Sequence, residues 1–225
     1  MNVLALLALA LAPGVAISLY IYLKDKHERE PLWLLLVSFF YGGVSTIVTE
    51  IIRFPVNALM FTKDDGIMYH FVDTFFKVAF LEECSKFLFV RFILFYNKNF
   101  NEPFDGIVYA VMVSMGFATV ENVLYVYQYG MATGILRMFT AVPAHAIFAT
   151  IMGFFLGKAK FTHRKVFYYS VIGLLAASTF HGFYDFFLLI PYTPLVWIWV
   201  IVAMVIGFIL SRKAIRLHQQ TSPFI

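Results

Sequence analysis

Residues Phe75-Phe76-Lys77-Val78-Ala79-Phe80-Leu81-Glu82-Glu83-Cys84-Ser85-Lys86-Phe87-Leu88-Phe89-Val90 set two adjacent carboxylates and a lysine inside an apolar run. The flanks are suited to a bilayer. There a charge at a helix centre costs roughly 2.5–3.5 kcal/mol even on lenient insertion scales. A chain that keeps such a pair has a use for it. Three further apolar segments each bring an ionisable group: Glu121, His145, and His181 with Asp185. Together they read as a site built inside a membrane protein.

Composition settles the class. The 225 residues are 61% hydrophobic and 13% charged, with a mean hydropathy of +0.81. A soluble domain is about half apolar and about a quarter charged. The expected fold is an all-α polytopic membrane protein, a single transmembrane domain over 1–225. It is a bundle of about seven transmembrane helices, with eight as the alternative count. The spans are expected at 2–23, 33–60, 72–96, 104–128, 133–157, 166–190 and 195–211. Each is near or above the ~20 residues that cross a bilayer core. Pro55 should kink or shorten the second, and the turn Pro191-Tyr192-Thr193-Pro194 separates the last two. Met1–Leu23 lacks the basic start of a signal peptide, so it reads as a retained span.

Basic residues assigned to the two sides of the membrane divide twelve against two: Lys24, Lys26, Arg29, Arg91, Lys98, Lys158, Lys160, Arg164, Lys165, Arg212, Lys213 and Arg216 oppose Lys63 and Arg137. The positive-inside rule then puts the N-terminus outside and the C-terminus in the cytoplasm. The net charge of +4 is accounted for by a basic rim facing anionic lipid, with no nucleic-acid partner required.

With that topology, depths follow from the rise of a helix. Glu82, Glu121, His145 and His181 fall at about 15, 10, 18 and 14 Å from the outer surface. Four helices thus bring ionisable groups to one layer. Their faces agree. Ala141, His145, Ala149, Gly153 and Gly157 form one small-residue stripe, and Gly173, Ala177, His181 and Asp185 form another. Ser114, Ala118, Glu121 and Asn122 share a third face. Small residues mark the sides on which membrane helices pack, so these groups should point inward.

The candidate catalytic residues are Glu82, Glu83, Glu121, His145 and His181, with Lys86, Asn122 and Asp185 in support. Lys86, one turn from both glutamates, lowers the cost of burying them. An Asp one turn from His181 can orient its ring. Glu50 with Arg53 should pair as a neutralised cavity lining, Asp73 with Lys77 should pair near the outer surface, and Asp105 should cap a helix. Cys84 is the only cysteine and has no histidine beside it in sequence, so it is a weak nucleophile candidate. His27, His70, His163 and His218 carry no site argument.

The chain resembles the PrsW family of bacterial intramembrane proteases. The likeness lies in Ala12-Pro13-Gly14, Tyr22-Leu23-Lys24-Asp25 with Glu30-Pro31, Glu82-Glu83-x-x-Lys86, Asp105-Gly106-Ile107-Val108-Tyr109 and Gly116-Phe117-Ala118-Thr119 with Glu121-Asn122. It continues in His145-Ala146, Gly153-Phe154 with Gly157-Lys158-Ala159, and His181-Gly182 with Tyr184-Asp185. The resemblance implies the first, outer-side cut in a membrane-spanning anti-sigma factor, after which a second intramembrane protease completes release of the sigma factor. It implies a multi-pass protein of the bacterial cytoplasmic membrane, acting in stress response by regulated intramembrane proteolysis. More distantly the chain is similar to CAAX prenyl endopeptidases and bacteriocin-immunity proteins. Those show Glu-Glu-x-x-x-Arg, Phe-x-x-x-His and a later His. Here Lys86 stands one position before their Arg, and Glu121 stands where they have His.

For peptide hydrolysis, Glu82 is expected to activate the water and Glu83 to hold the proton or orient the water. His145 and His181 would donate to the oxyanion or the leaving amine, and Glu121 would orient one histidine. A glutamate mechanism without a cofactor is preferred to a zinc one, because His-Glu-x-x-His is missing. If a zinc ion is used, its ligands are expected among Glu83, Glu121, His145 and His181. The rival class is a proton- or cation-coupled transporter with a Glu/His relay. It is disfavoured by the lack of repeats and broken midplane helices.

Overall fold

In the computed structural model, which describes residues 3–59, 66–162, 165–189 and 196–224, every regular element is helical. The long helices are α1 (Val3–Lys24), α2 (Leu32–Leu59), α5 (Asp105–Tyr129), α7 (Ala141–Phe161), α8 (Val166–Leu189) and α9 (Val196–Gln219). Shorter are α3 (Ile67–Val72), α4 (Leu81–Phe92) and α6 (Met131–Phe139). Among the described residues, six helical stretches are long and apolar enough to cross a membrane, with α6 and α7 counted together. The seventh expected span is the run from α3 to α4, which is continuous and carries the charges of the opening motif. Large side chains such as Phe54, Tyr127 and Phe167 are exposed around the bundle. In a bilayer they face acyl chains, and the molecule is a multi-pass membrane protein.

The second helix runs to Leu59 with Pro55 inside it. Two details differ from expectation. The fifth span is broken: α6 ends at Phe139 and α7 begins at Ala141, with Thr140 between them at φ −121 and ψ −78. The last helix runs to Gln219 instead of ending near 211. The turn at 191–194 and His163 lie outside the described residues. His70 sits in α3 and the buried His218 in α9, where it stacks on Phe154.

Between α3 and α4 the backbone is π-helical from Asp73 to Phe80. Such wide turns are rare and cluster at functional sites. This one ends immediately before Leu81-Glu82-Glu83.

Helix α5 is the central post. It is buried on every side from Asp105 to Thr119, as a helix that is apolar all round must be. Glycines let its neighbours reach its backbone. A Cβ on Gly42 of α2 would collide with the Val113 carbonyl, and one on Gly116 with the Phe39 carbonyl. Gly106 and Gly153 hold α7 against α5 in the same way. Without a hydrophobic drive between helices in lipid, this close approach supplies the packing energy.

Gly116→Val should therefore force α2 and α5 apart. Overpacking costs roughly 1–3 kcal/mol, so the thermal midpoint of purified protein in detergent should fall by several degrees. Gly43→Ala, where the nearest atom is a flexible Val120 methyl, should shift it little. Equal midpoints for Gly116→Val and wild type would remove the glycine contact from this account.

Candidate active site

Six helices build one polar cluster. Glu82, Glu83 and Lys86 come from α4, Glu121 from α5, Arg137 from α6, His145 from α7, and His181 with Asp185 from α8. Arg53 enters from α2. Glu82, Glu83, Lys86, His145 and His181 are all buried, and Glu121 is partly so.

Lys86 stands at the centre. Its Nζ donates to Glu83 Oε1 at 2.8 Å and lies 3.7 Å from Glu82 Oε2. It is 3.2 Å from His145 Nδ1 and 4.0 Å above the centre of the Phe117 ring. The ammonium can only donate, so His145 Nδ1 accepts. The other nitrogen of His145 then carries the hydrogen and donates to Glu121 Oε2 at 3.0 Å. His181 Nδ1 donates to Glu83 Oε1 at 3.0 Å. Its Nε2 is 3.3 Å from Asp185 Oδ2 and 3.9 Å from Glu82 Oε2. The two imidazoles meet edge to face at 5.1 Å, and Phe148 stacks on His181 at 4.8 Å.

Outer charges complete the arrangement. Arg53 donates to Glu50 at 2.7 Å and to Glu82 Oε1 at 3.1 Å. Arg137 donates to Glu121 Oε2 at 2.7 Å and to Asn122 Oδ1 at 3.2 Å. The Asn122 amide donates to the Ala10 carbonyl at 3.1 Å, tying α5 to α1. Ser114 Oγ donates to the His145 carbonyl at 3.0 Å and sets the register of α7 on α5.

All eight residues singled out from the sequence, five as catalytic and three in support, lie in this network. Arg53 was expected to pair with Glu50 as a neutralised cavity lining, and Arg137 was counted only in the charge balance between the two sides; both reach the cluster. A long cationic side chain near a span end looks like an interfacial anchor in sequence, and only the rotation of its helix shows otherwise. Asp73 and Lys77 pair as expected, at 3.4 Å. Cys84 is only partly buried, and its thiol is absent from these contacts.

The donor atoms that meet are those of Glu82, His145 and His181, all within 4.8 Å of one another. Glu83 and Glu121, expected as zinc ligands, instead sit behind the histidines, each bonded to one ring nitrogen. That is the pattern of metal-ligating histidines, whose second nitrogen commonly donates to a carboxylate. Glu82 Oε2 has no hydrogen-bond partner. The residues present therefore fit a divalent ion.

Buried carboxylates and imidazoles on separate membrane helices define the class, a membrane-embedded protein with a hydrolase-like polar centre. A sequence model described as "PrsW family intramembrane metalloprotease" matches residues 30–211. Protease PrsW of Geobacillus kaustophilus is 40% identical over 186 residues, covering 82% of this chain and 80% of the relative. Protease PrsW of Oceanobacillus iheyensis is 36% identical over 205 residues, with 87% and 92% covered. That of Bacillus subtilis is 36% identical over 185 residues, with 82% and 83% covered. No solved structure matches the chain significantly. The chain belongs to the PrsW family of intramembrane proteases.

Removing the central cation should be costly. Breaking a buried ion pair by deleting one partner typically costs ~3–5 kcal/mol. Lys86→Met should destabilise the detergent-purified protein on that scale, and Lys86→Met with Glu83→Gln should recover part of the loss. A Lys86→Met protein as stable as wild type would show that the ammonium does not neutralise this site.

Proposed function

We propose that this chain, as one domain over 1–225, is an endopeptidase that hydrolyses a peptide bond of a single-span membrane substrate at the Glu82–His145–His181 centre. The observation that carries this is the meeting of donor atoms of Glu82, His145 and His181 within 4.8 Å of one another, with Glu121 bonded to His145 Nε2 and Glu83 to His181 Nδ1. Such pairing fixes ring tautomer and orientation, as a hydrolytic site requires.

Family membership and the donor set together favour a zinc-dependent reaction over the metal-free reading. Glu82, His145 and His181 would hold the ion, and Zn²⁺ in such a site polarises a carbonyl and brings the pKa of bound water to about 7. Glu83, whose Oε2 is buried without a hydrogen-bond partner, is assigned to take the proton from the attacking water. Glu121 orients His145 through Nε2 and Glu83 Oε1 orients His181 through Nδ1, while Asp185 lies against the His181 nitrogen that would meet the ion. Lys86 and Arg137 balance the carboxylates, and Lys86 is the donor assigned to the developing oxyanion.

The substrate proposed is a membrane-spanning anti-sigma factor, cut first on its outer side. Support comes from the family resemblance and from the basic-residue asymmetry, which sets the N-terminus outside and the cluster in the outer half of the bilayer.

Co-expression with a candidate single-span anti-sigma protein should give a shortened product. Glu82→Gln and His181→Ala should each abolish it at wild-type levels of protein. Continued cutting by Glu82→Gln removes the site assignment. Purified wild-type protein should hold about one Zn²⁺, lose activity on chelation and regain it on Zn²⁺ addition. Undiminished activity in a zinc-free preparation would return the mechanism to glutamate chemistry alone.

A further inference from the structure

A second carboxylate cluster is buried at the far end of α5, about 24 Å along the helix from Glu121. Asp25 and Glu30 come from the segment joining α1 to α2, Glu102 from the loop before α5, and Asp105 from its first turn. All four are at most 2% exposed.

Their visible partners satisfy only part of them. Asp105 Oδ2 accepts from the backbone of Asn101 and Glu102, both at 2.7 Å, so it braces the loop behind it instead of capping α5. Asp25 Oδ2 accepts from the Glu30 backbone at 3.4 Å, and the Tyr109 hydroxyl donates to Glu30 Oε2. On each residue an oxygen is left over. Asp25 Oδ1, Glu30 Oε1, Glu102 Oε2 and Asp105 Oδ1 are buried with no hydrogen-bond partner. Native folds leave few such atoms, and here four fall together.

Lys160 lies close enough for its charge to act on Asp105 and Glu30, but the basic groups here donate to backbone oxygens and not to these carboxylates. Lys160 donates to the carbonyls of Phe95 at 2.5 Å and Asn97 at 3.4 Å. Arg29 donates to the backbone oxygen of Asp25 at 3.4 Å, not to a carboxylate. Burial pushes the Asp25 carboxyl up to about 8, with the charge of Glu102 acting in the same direction. Burial likewise raises Glu30 to about 7, against the bond from Tyr109. Four bare carboxylates are thus a high-energy state, and the cluster calls for positive charge.

Carboxylate oxygens of Asp25, Glu102 and Asp105 lie within 4.8 Å of one another. Oxygens on opposite sides of a divalent ion at about 2.0–2.6 Å are about 4–5 Å apart. The donors are all hard oxygens, with no imidazole or thiolate, which suits Mg²⁺, Ca²⁺ or Mn²⁺ and not zinc. We propose that Asp25, Glu102 and Asp105, backed by Glu30, bind one hard divalent cation that ties the α1–α2 segment to the start of α5. This site is independent of the reading given to the histidine centre.

The test uses the full chain in detergent, stripped by chelation. With the histidine centre refilled by one equivalent of Zn²⁺, Mn²⁺ titration followed by electron paramagnetic resonance should show one saturable site from which Mg²⁺ or Ca²⁺ displaces the ion. The same cations should raise the thermal midpoint by several degrees. Glu102→Gln should weaken Mn²⁺ binding at least ten-fold, while His145→Ala leaves it unchanged. Should Glu102→Gln not accumulate, Asp25→Asn, which keeps the side-chain shape, is read in its place. Absence of saturable Mn²⁺ binding overturns the proposal, and so does binding lost in His145→Ala but retained in the acidic-cluster variant. A stripped protein indifferent to cations but stabilised as pH falls through 7 would assign shared protons to the cluster, and would overturn it equally.

Discussion

The contact of the Lys86 ammonium with Glu82, Glu83 and His145 is what makes the interior of this bundle tenable. Two adjacent carboxylates cannot both stay charged in a low-dielectric core without a cation beside them. Lys86 lies one turn along the same helix, so α4 carries its own neutralising charge into the membrane. Arg53 and Arg137 extend that neutralisation outward to Glu82 and Glu121. Apart from the exposed Glu50, which shares Arg53, three cations in this cluster face the four carboxylates Glu82, Glu83, Glu121 and Asp185. One negative charge is left over, which a proton on a histidine or a bound metal ion would match.

Around that centre the helices are held in two different ways. On α5, backbones touch through Gly42, Gly116, Gly106 and Gly153, leaving little freedom to slide. The segment from α3 through the π-helical turns meets α8 through aromatic rings instead. Phe71 stacks on Phe75 at 4.4 Å and meets Phe186 edge-on at 5.9 Å, and Phe75 meets Phe183 at 5.1 Å. The π-helical stretch shifts helical phase just ahead of Glu82, so it influences which way the two glutamates face. Position of the site thus depends on a rigid α2–α5–α7 core and on one irregular helix laid against it.

Much of this was legible in sequence because the bilayer penalises exceptions. Seven apolar runs announce the spans, and ionisable residues within them stand out against that background. Small-residue stripes at i+4 then place His145 and His181 on buried faces, where they lie. Less legible were features that depend on helix rotation or on charges near span ends. Arg53 and Arg137 reach Glu82 and Glu121 across 29 and 16 residues of sequence. Nothing in their spacing shows that contact. The break at Thr140 was hidden because α6 and α7 form one apolar run. Asp25, Glu30 and Asp105 look ordinary where acidic residues are cheap; only convergence of two loops buries them.

The histidines show why stability and chemistry are inseparable here. A buried imidazole needs partners for both nitrogens, and a buried carboxylate needs donors. Pairing Glu83 with His181 and Glu121 with His145 satisfies both demands with one bond each. The Glu121 bond leaves His145 Nδ1 as an acceptor, turned toward Lys86. His181 meets carboxylates at both nitrogens, Glu83 at Nδ1 and Asp185 at Nε2, so each nitrogen faces an acceptor. Replacing either glutamate by an apolar residue would strand a buried imidazole donor and free the tautomer together. Fold stability thereby favours the same ring orientations that hydrolysis requires, and selection for one retains the other.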